Sequence, residues 1–197
     1  MPLGFHKAAL FGIAGASTES VVLLLSQTVA AVSSVEFTAD ITSKYTEYIF
    51  RFYNIAVASN GGNPFQWQVD ASGGVDGYND IYITSSFFRA YHYEGGAEDL
   101  NYVAGQDEAN TQGFADIIQG VGTEADNSFS GELHLYNPSS TTYVKQWHGR
   151  VNSADGTFQH DNFSAGYWNT TSAINAVKFQ HQGGGNFSGT IKMWGVK

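Results

Sequence analysis

The chain has 197 residues with 9 basic and 18 acidic side chains, a formal net charge of −9, and no cysteine. It also has 23 Gly, 14 Phe, 11 Tyr and 4 Trp. The acid excess lacks the basic footprint that releases counterions from nucleic acid and argues against an anionic membrane surface. The missing cysteines exclude disulfides, thiolate nucleophiles and cysteine-ligated metal or haem centres.

Residues 1–17 read MPLGFHKAALFGIAGAS. One lysine, a short apolar run and small residues at the end give it the look of a weak secretory signal. Gly12 and Gly15 interrupt the run, so the preferred reading is an apolar arm over residues 1–20. Leu3, Phe5, Leu10, Phe11 and Ile13 are its contact residues. The longest apolar stretch, 21–25, is far too short to cross a bilayer as a helix.

Residues 21–197 are expected to form one β-sandwich domain. Val35, Phe37, Ala39 and Ile41 alternate with polar residues, as on a half-buried strand. Residues 48–55 are apolar at both parities except Arg51 and Asn54, which predicts a strand covered on both faces. A turn at 60–64 precedes a strand that sends Phe65, Trp67 and Val69 one way and Gln66, Gln68 and Asp70 the other. A Gly-rich turn at 72–77 follows, then a long aromatic strand or strand pair over 81–93.

Residues 95–112 lack a period and predict a long surface loop with room for one helical turn. Further strands are expected at 114–120, 132–136, 143–151, 166–169, 174–181 and 190–196. Strands and turns recurring at this spacing, with no amphipathic helix, predict an all-β antiparallel sandwich of jelly-roll-like form with an extended N-terminal arm. Phe129-Ser130-Gly131, Phe187-Ser188-Gly189 and Phe163-Ser164-Ala165-Gly166 each lead into a strand, which reads as a bulge or edge device.

Catalytic signatures are missing. There is no Gly-x-Ser-x-Gly elbow, no phosphate-binding glycine loop and no His-Glu-x-x-His. No two histidines stand at i and i+2, the spacing that puts two imidazoles on one strand face, so no metal centre and no cofactor are expected. Asp76, Asn79 and Asp80 offer oxygen ligands for Ca²⁺, and a self-capping turn explains them equally well. Flat aromatic faces stack on sugars and anchor interfaces, so Tyr143, Trp147, Tyr167 and Trp168 are the candidate glycan or partner contacts, with core packing as the competing role.

The segments at 3–15, 35–38, 45–55, 133–149, 164–179 and 185–197 together resemble a family of virion structural proteins of tailed bacteriophages of aquatic bacteria. The resemblance implies a non-enzymatic sandwich on the particle exterior, either a capsid decoration or a head or tail fibre component. Its partners would be the major capsid or tail protein through the arm, further copies of itself in an expected trimer, and host-surface glycan. A secreted carbohydrate-binding module is the first alternative, and a glycan depolymerase the second.

Overall fold

The computed structural model describes residues 20–197. The arm residues Leu3, Phe5, Leu10, Phe11 and Ile13 lie outside the described residues.

In chain order the strands are β1 (Val21–Val32), β2 (Ser34–Phe37), β3 (Glu47–Val57), β4 (Phe65–Asp70), β5 (Tyr82–Tyr93), β6 (Glu98–Tyr102) and β7 (Ala109–Gln112). They continue with β8 (Ala115–Ile118), β9 (Phe129–Tyr136), β10 (Lys145–Asp155), β11 (Phe158–Trp168), β12 (Ala176–His181) and β13 (Phe187–Val196). They form a nine-stranded sheet in the order β1-β13-β3-β9-β10-β11-β5-β6, with β7 also on β5, and a four-stranded sheet, β2-β12-β4-β8. Neighbours pair antiparallel throughout. From β1 to β5 each connection changes sheet, the sandwich crossing expected of a jelly-roll-like fold.

Alternation builds the core. Tyr48, Phe50 and Phe52 of β3 point between the sheets, as do Leu133 and Leu135 of β9. From the small sheet Phe37, Phe65, Trp67 and Phe179 meet them. Phe179 is the hub, with ring centroids 5.2 Å from Phe50 and 5.3 Å from Phe52. Trp67 meets Trp147 and Trp168 edge-on, each at 5.1 Å. Edge-to-face pairs set the positive ring rim against the negative face and add about 0.5–1.5 kcal/mol beyond buried area.

The glycine motifs work as close-approach devices. A Cβ on Gly131 would collide with the Arg150 carbonyl oxygen and lie 2.7 Å from the Val151 Cα. A Cβ on Gly189 would lie 2.8 Å from the Asn54 carbonyl oxygen. The adjoining serines complete two bulges. Ser130 Oγ accepts the Asn54 N–H at 3.0 Å, and Ser188 Oγ accepts the Ala31 N–H at 3.0 Å. Both donors have positive φ, 48° and 55°, and stand at register breaks of the β3–β9 and β1–β13 pairings. The third motif differs. Gly166 also sits too close to β5 for a side chain, yet its pairings run without a break and Phe163 points outward.

Several expectations change. Residues 21–32 are a twelve-residue edge strand that apolar alternation did not announce. β2 ends at Phe37, so Ala39 is exposed. β3 is covered on both faces only at its start, where outward Ile49 is buried; farther along, outward Arg51 and Tyr53 are exposed. β4 is instead buried on both faces, because the segment after Asp70 folds over its outer side. Ser72 and Gly74 donate to the Asp70 carboxylate, and Tyr78 settles against Glu36 and Lys178. Residues 95–112 contain β6 and β7 along β5, with no helical turn. β11 begins at Phe158, eight residues before the expected 166.

Candidate binding surface on the outer face of the large sheet

The outward side chains of the nine-stranded sheet line up in rows that only the strand register creates. One row runs Ser26, Lys192, Arg51, Glu132, Arg150, Phe163, Phe88, Tyr102, crossing β1, β13, β3, β9, β10, β11, β5 and β6. Three of the chain's 9 basic residues fall in this row. Its aromatic end is a stack, with Phe88 and Phe163 4.9 Å apart and 6° from parallel. The Arg150 guanidinium covers the other side of Phe163 at 4.9 Å. Arg150 also holds Asp161 through two bonds, Nε at 3.1 Å and Nη2 at 2.7 Å. Arg51 Nε reaches Glu132 at 3.3 Å. Between these groups lies an open groove of about 560 Å³ lined by Arg51, Tyr53, Ser130, Glu132, Arg150 and Asn152.

A second row runs Leu23, Trp194, Ile49, His134, His148, Ala165, Ser86. His134 and His148 stack at 4.6 Å. Two carboxylates grip His134: Glu47 Oε1 at 2.5 Å from Nδ1 and Glu132 Oε1 at 3.3 Å from Nε2. His148 Nδ1 lies 3.1 Å from the Tyr136 hydroxyl. Burial, then the neighbouring His134, lowers the His148 pKa, so this imidazole favours its neutral form. Burial followed by the charges of Glu47 and Glu132 raises the Tyr136 pKa.

Tyr136 divides two adjoining hollows. One, about 520 Å³, is lined by Tyr136, Gln146, Tyr167, Thr84, Ser85 and Ser86. The other, about 300 Å³, is lined by Tyr136, Asn137, Tyr143, Val144 and Gln146. The sequence candidates Tyr143 and Tyr167 therefore meet on either side of a residue that sequence reading did not select. Tyr143 is 74% exposed, on the loop before β10. Trp147 borders the larger hollow as well and Trp168 borders neither, but neither ring is exposed beside the tyrosines. The two tryptophans are 3% and 0% exposed and pack on Trp67 between the sheets, because their positions in β10 and β11 carry inward parity. They are core residues, and no ligand on the surface can stack on either ring.

The Ca²⁺ candidates sit elsewhere, in the segment that covers the small sheet. Asp76, Asn79 and Asp80 are all exposed there. The carboxylate that organises the turn is Asp70, while the Asp76 N–H donates to Ser72 and the Asp80 carbonyl accepts from Gln112. Among the described residues, no three His, Cys, Asp or Glu side chains gather closely enough to hold a metal ion.

One carboxyl stands apart chemically. Asp116 of β8 is 8% exposed and accepts from Gln66 Nε2 at 2.6 Å. Burial pushes its pKa up to about 7, the Gln66 hydrogen bond opposes the rise, and the Glu108 charge adds to it.

Sequence reading missed Tyr53, Tyr136, Arg51 and Arg150 as surface residues. Their signal was parity opposite to the buried positions of the same strand, and cross-strand register then brings them together. Comparison with known proteins finds no matching family model, no matching curated protein and no matching solved structure.

Proposed function

We propose that the chain is a non-enzymatic structural protein of a tailed bacteriophage particle, displayed on its exterior as a capsid decoration or a head or tail fibre component. Residues 1–20 dock it onto the major capsid or tail protein, and the outer face of the nine-stranded sheet contacts host-surface glycan. The virion assignment rests on the sequence resemblance. The observation that carries the glycan contact is the Tyr143–Tyr136–Tyr167 arrangement around two open hollows edged with amide and hydroxyl groups. Flat rings beside hydrogen-bonding groups suit the apolar faces and hydroxyls of sugars.

A binding role is favoured over glycan depolymerisation by the state of the acids on this face. Glycoside hydrolysis needs two carboxyls flanking the scissile bond, one of them free to donate a proton. Here Glu132 is held by Arg51 and His134, Glu47 by His134, and Asp161 by Arg150. The secreted carbohydrate-binding module shares this surface, and it differs in needing no particle.

Two experiments separate these readings. Deleting residues 2–16 should abolish incorporation into particles and leave the sandwich folded; normal incorporation would remove the arm's role. A glycan array probed with the intact chain should give binding that Tyr136→Ala and Tyr167→Ala each weaken at least tenfold. Array binding by a protein that never co-purifies with particles would favour the secreted module.

A further inference from the structure

Among the described residues the sandwich has five strand edges without a pairing partner: β1, β6 and β7 on the large sheet, and β2 and β8 on the small one. An open edge presents unpaired N–H and C=O groups that template pairing with another chain, and monomeric proteins blunt such edges with charge, proline or short length. Four of these five are blunted. β6 carries Glu98 and Asp99, and β2 and β8 are only four residues long. β7 is four exposed residues, directly after Glu108.

β1 is different. Its twelve residues, VVLLLSQTVAAV, contain no charge, no proline and no glycine, in a chain with 27 charged side chains among its 9 basic and 18 acidic residues. It is also under-covered. None of its residues is fully buried, and Val22, Leu24, Leu25, Val29 and Val32 are only half-buried against the core. Val21 and Leu23 are 41% and 44% exposed. Its central stretch from Leu25 to Val29 pairs with β13 in unbroken register, so its opposite edge is regular there too.

We propose that the β1 edge is a homotypic interface, in which β1 of one copy pairs antiparallel with β1 of a second copy across a two-fold axis. Charge decides the occupant. Each copy carries −9, so an acidic edge meeting itself would repel, and β1 is the one long edge where self-pairing brings no like charges together. Size agrees. Twelve residues span about 40 Å, and the side of a two-layer sandwich is roughly 20 Å deep, which offers about 800 Å² per partner, the size of a standard interface. β2 lies beside β1 on this side, with Gln27 Nε2 donating to the Glu36 carbonyl at 2.7 Å, and the Glu36 carboxylate is neutralised by Lys178 at 3.2 Å. A two-fold contact closes on itself and does not grow into a fibre. The pairing deepens the structural-protein reading and replaces the trimer expected from the resemblance with a pair whose β1 strands start at opposite ends of the interface.

The test is the mass of the full-length protein by light scattering, over a range of concentrations. The intact chain should show about twice its 21.3 kDa chain mass. Leu23→Lys with Ala30→Lys, both at exposed positions, should return it to the single-chain mass with the same thermal midpoint to within a few degrees. Leu100→Lys on the already acidic β6 edge should leave the doubled mass unchanged. A monomeric intact chain overturns the proposal, and so does a dimer that survives the β1 lysines. A monomer that dimerises only after deletion of residues 2–16 also overturns it, and assigns the edge to the chain's own N-terminal segment. Particle incorporation and glycan binding are read separately, so loss of the pairing leaves those results standing.

Discussion

Replacing Gly131 with alanine tests whether the Phe-Ser-Gly motifs are steric necessities. The added Cβ would lie 2.7 Å from the Val151 Cα and would also strike the Arg150 carbonyl oxygen. Carbon atoms prefer about 3.5–4.0 Å, so the two strands must part by about 1 Å. Both obstacles are backbone, and no rotamer change relieves them. Overpacking of this kind costs about 1–3 kcal/mol, and the rigid obstacle points to the upper end. At about 2–4 °C per kcal/mol for a domain of this size, a cost of about 3 kcal/mol lowers Tm by about 6–12 °C. Gly105→Ala is the control, because a Cβ there meets nothing within 4 Å. The assay is thermal unfolding followed by near-ultraviolet circular dichroism. A Gly131→Ala midpoint within 2 °C of the parent would refute the close-approach argument, whatever the control does.

Three further outcomes follow from the buried polar groups and aromatics. Folding raises the Asp116 pKa from 3.8 to about 7, so its favourable contribution is full below about pH 4 and is lost as pH rises through 7. Asp116→Asn keeps an acceptor for Gln66 and should match the parent at pH 4 but exceed it by about 1–4 kcal/mol at pH 8 in urea titrations; equal stabilities at both pH values would contradict this. Trp147→Ala should cost about 3–5 kcal/mol, as loss of a packed core ring does, while Tyr143→Ala should stay within about 0.5 kcal/mol; calorimetry of the two variants separates core from surface. Lys145 is fully buried, its ammonium donating to the carbonyls of Ser140, Tyr143 and Thr170 at 2.6, 2.8 and 3.3 Å. Lys145→Met should cost about 2–3 kcal/mol through carbonyls left without a donor and should speed hydrogen exchange in the 137–144 loop.

Alternation along single strands made the all-β class, the sandwich and most strand positions legible from residues alone. Val35 with Phe37, and Phe65 with Trp67 and Val69, announce their buried face because side-chain direction in a strand is a local property of period two. Two of the three aromatic-Ser-Gly motifs, at 129–131 and 187–189, pointed correctly to bulges at strand entries, while the motif at 163–166 lies inside β11 with unbroken pairing. β1 escaped notice because Val21 to Leu25 is apolar at both parities, and an edge strand with neither face sealed shows no clean alternation. The 95–112 segment read as a loop because β6 and β7 are held by pairing to β5 and expose nearly all their side chains, leaving no hydrophobic period to see.

The surface was the least legible part. Composition cannot tell a buried Trp147 from an exposed Tyr143; parity and position relative to β10 decide it. The row from Lys192 through Arg51, Glu132 and Arg150 to Phe163 and Phe88 joins residues from six strands spread over more than a hundred positions of sequence. The sequence by itself determined which residues can form strands and which faces of them seek burial, because those are local consequences of side-chain chemistry. Only the tertiary structure decided which strands are neighbours and in what register, since pairing partners are chosen by the whole sheet, and with them which side chains share a surface and which edge is left open.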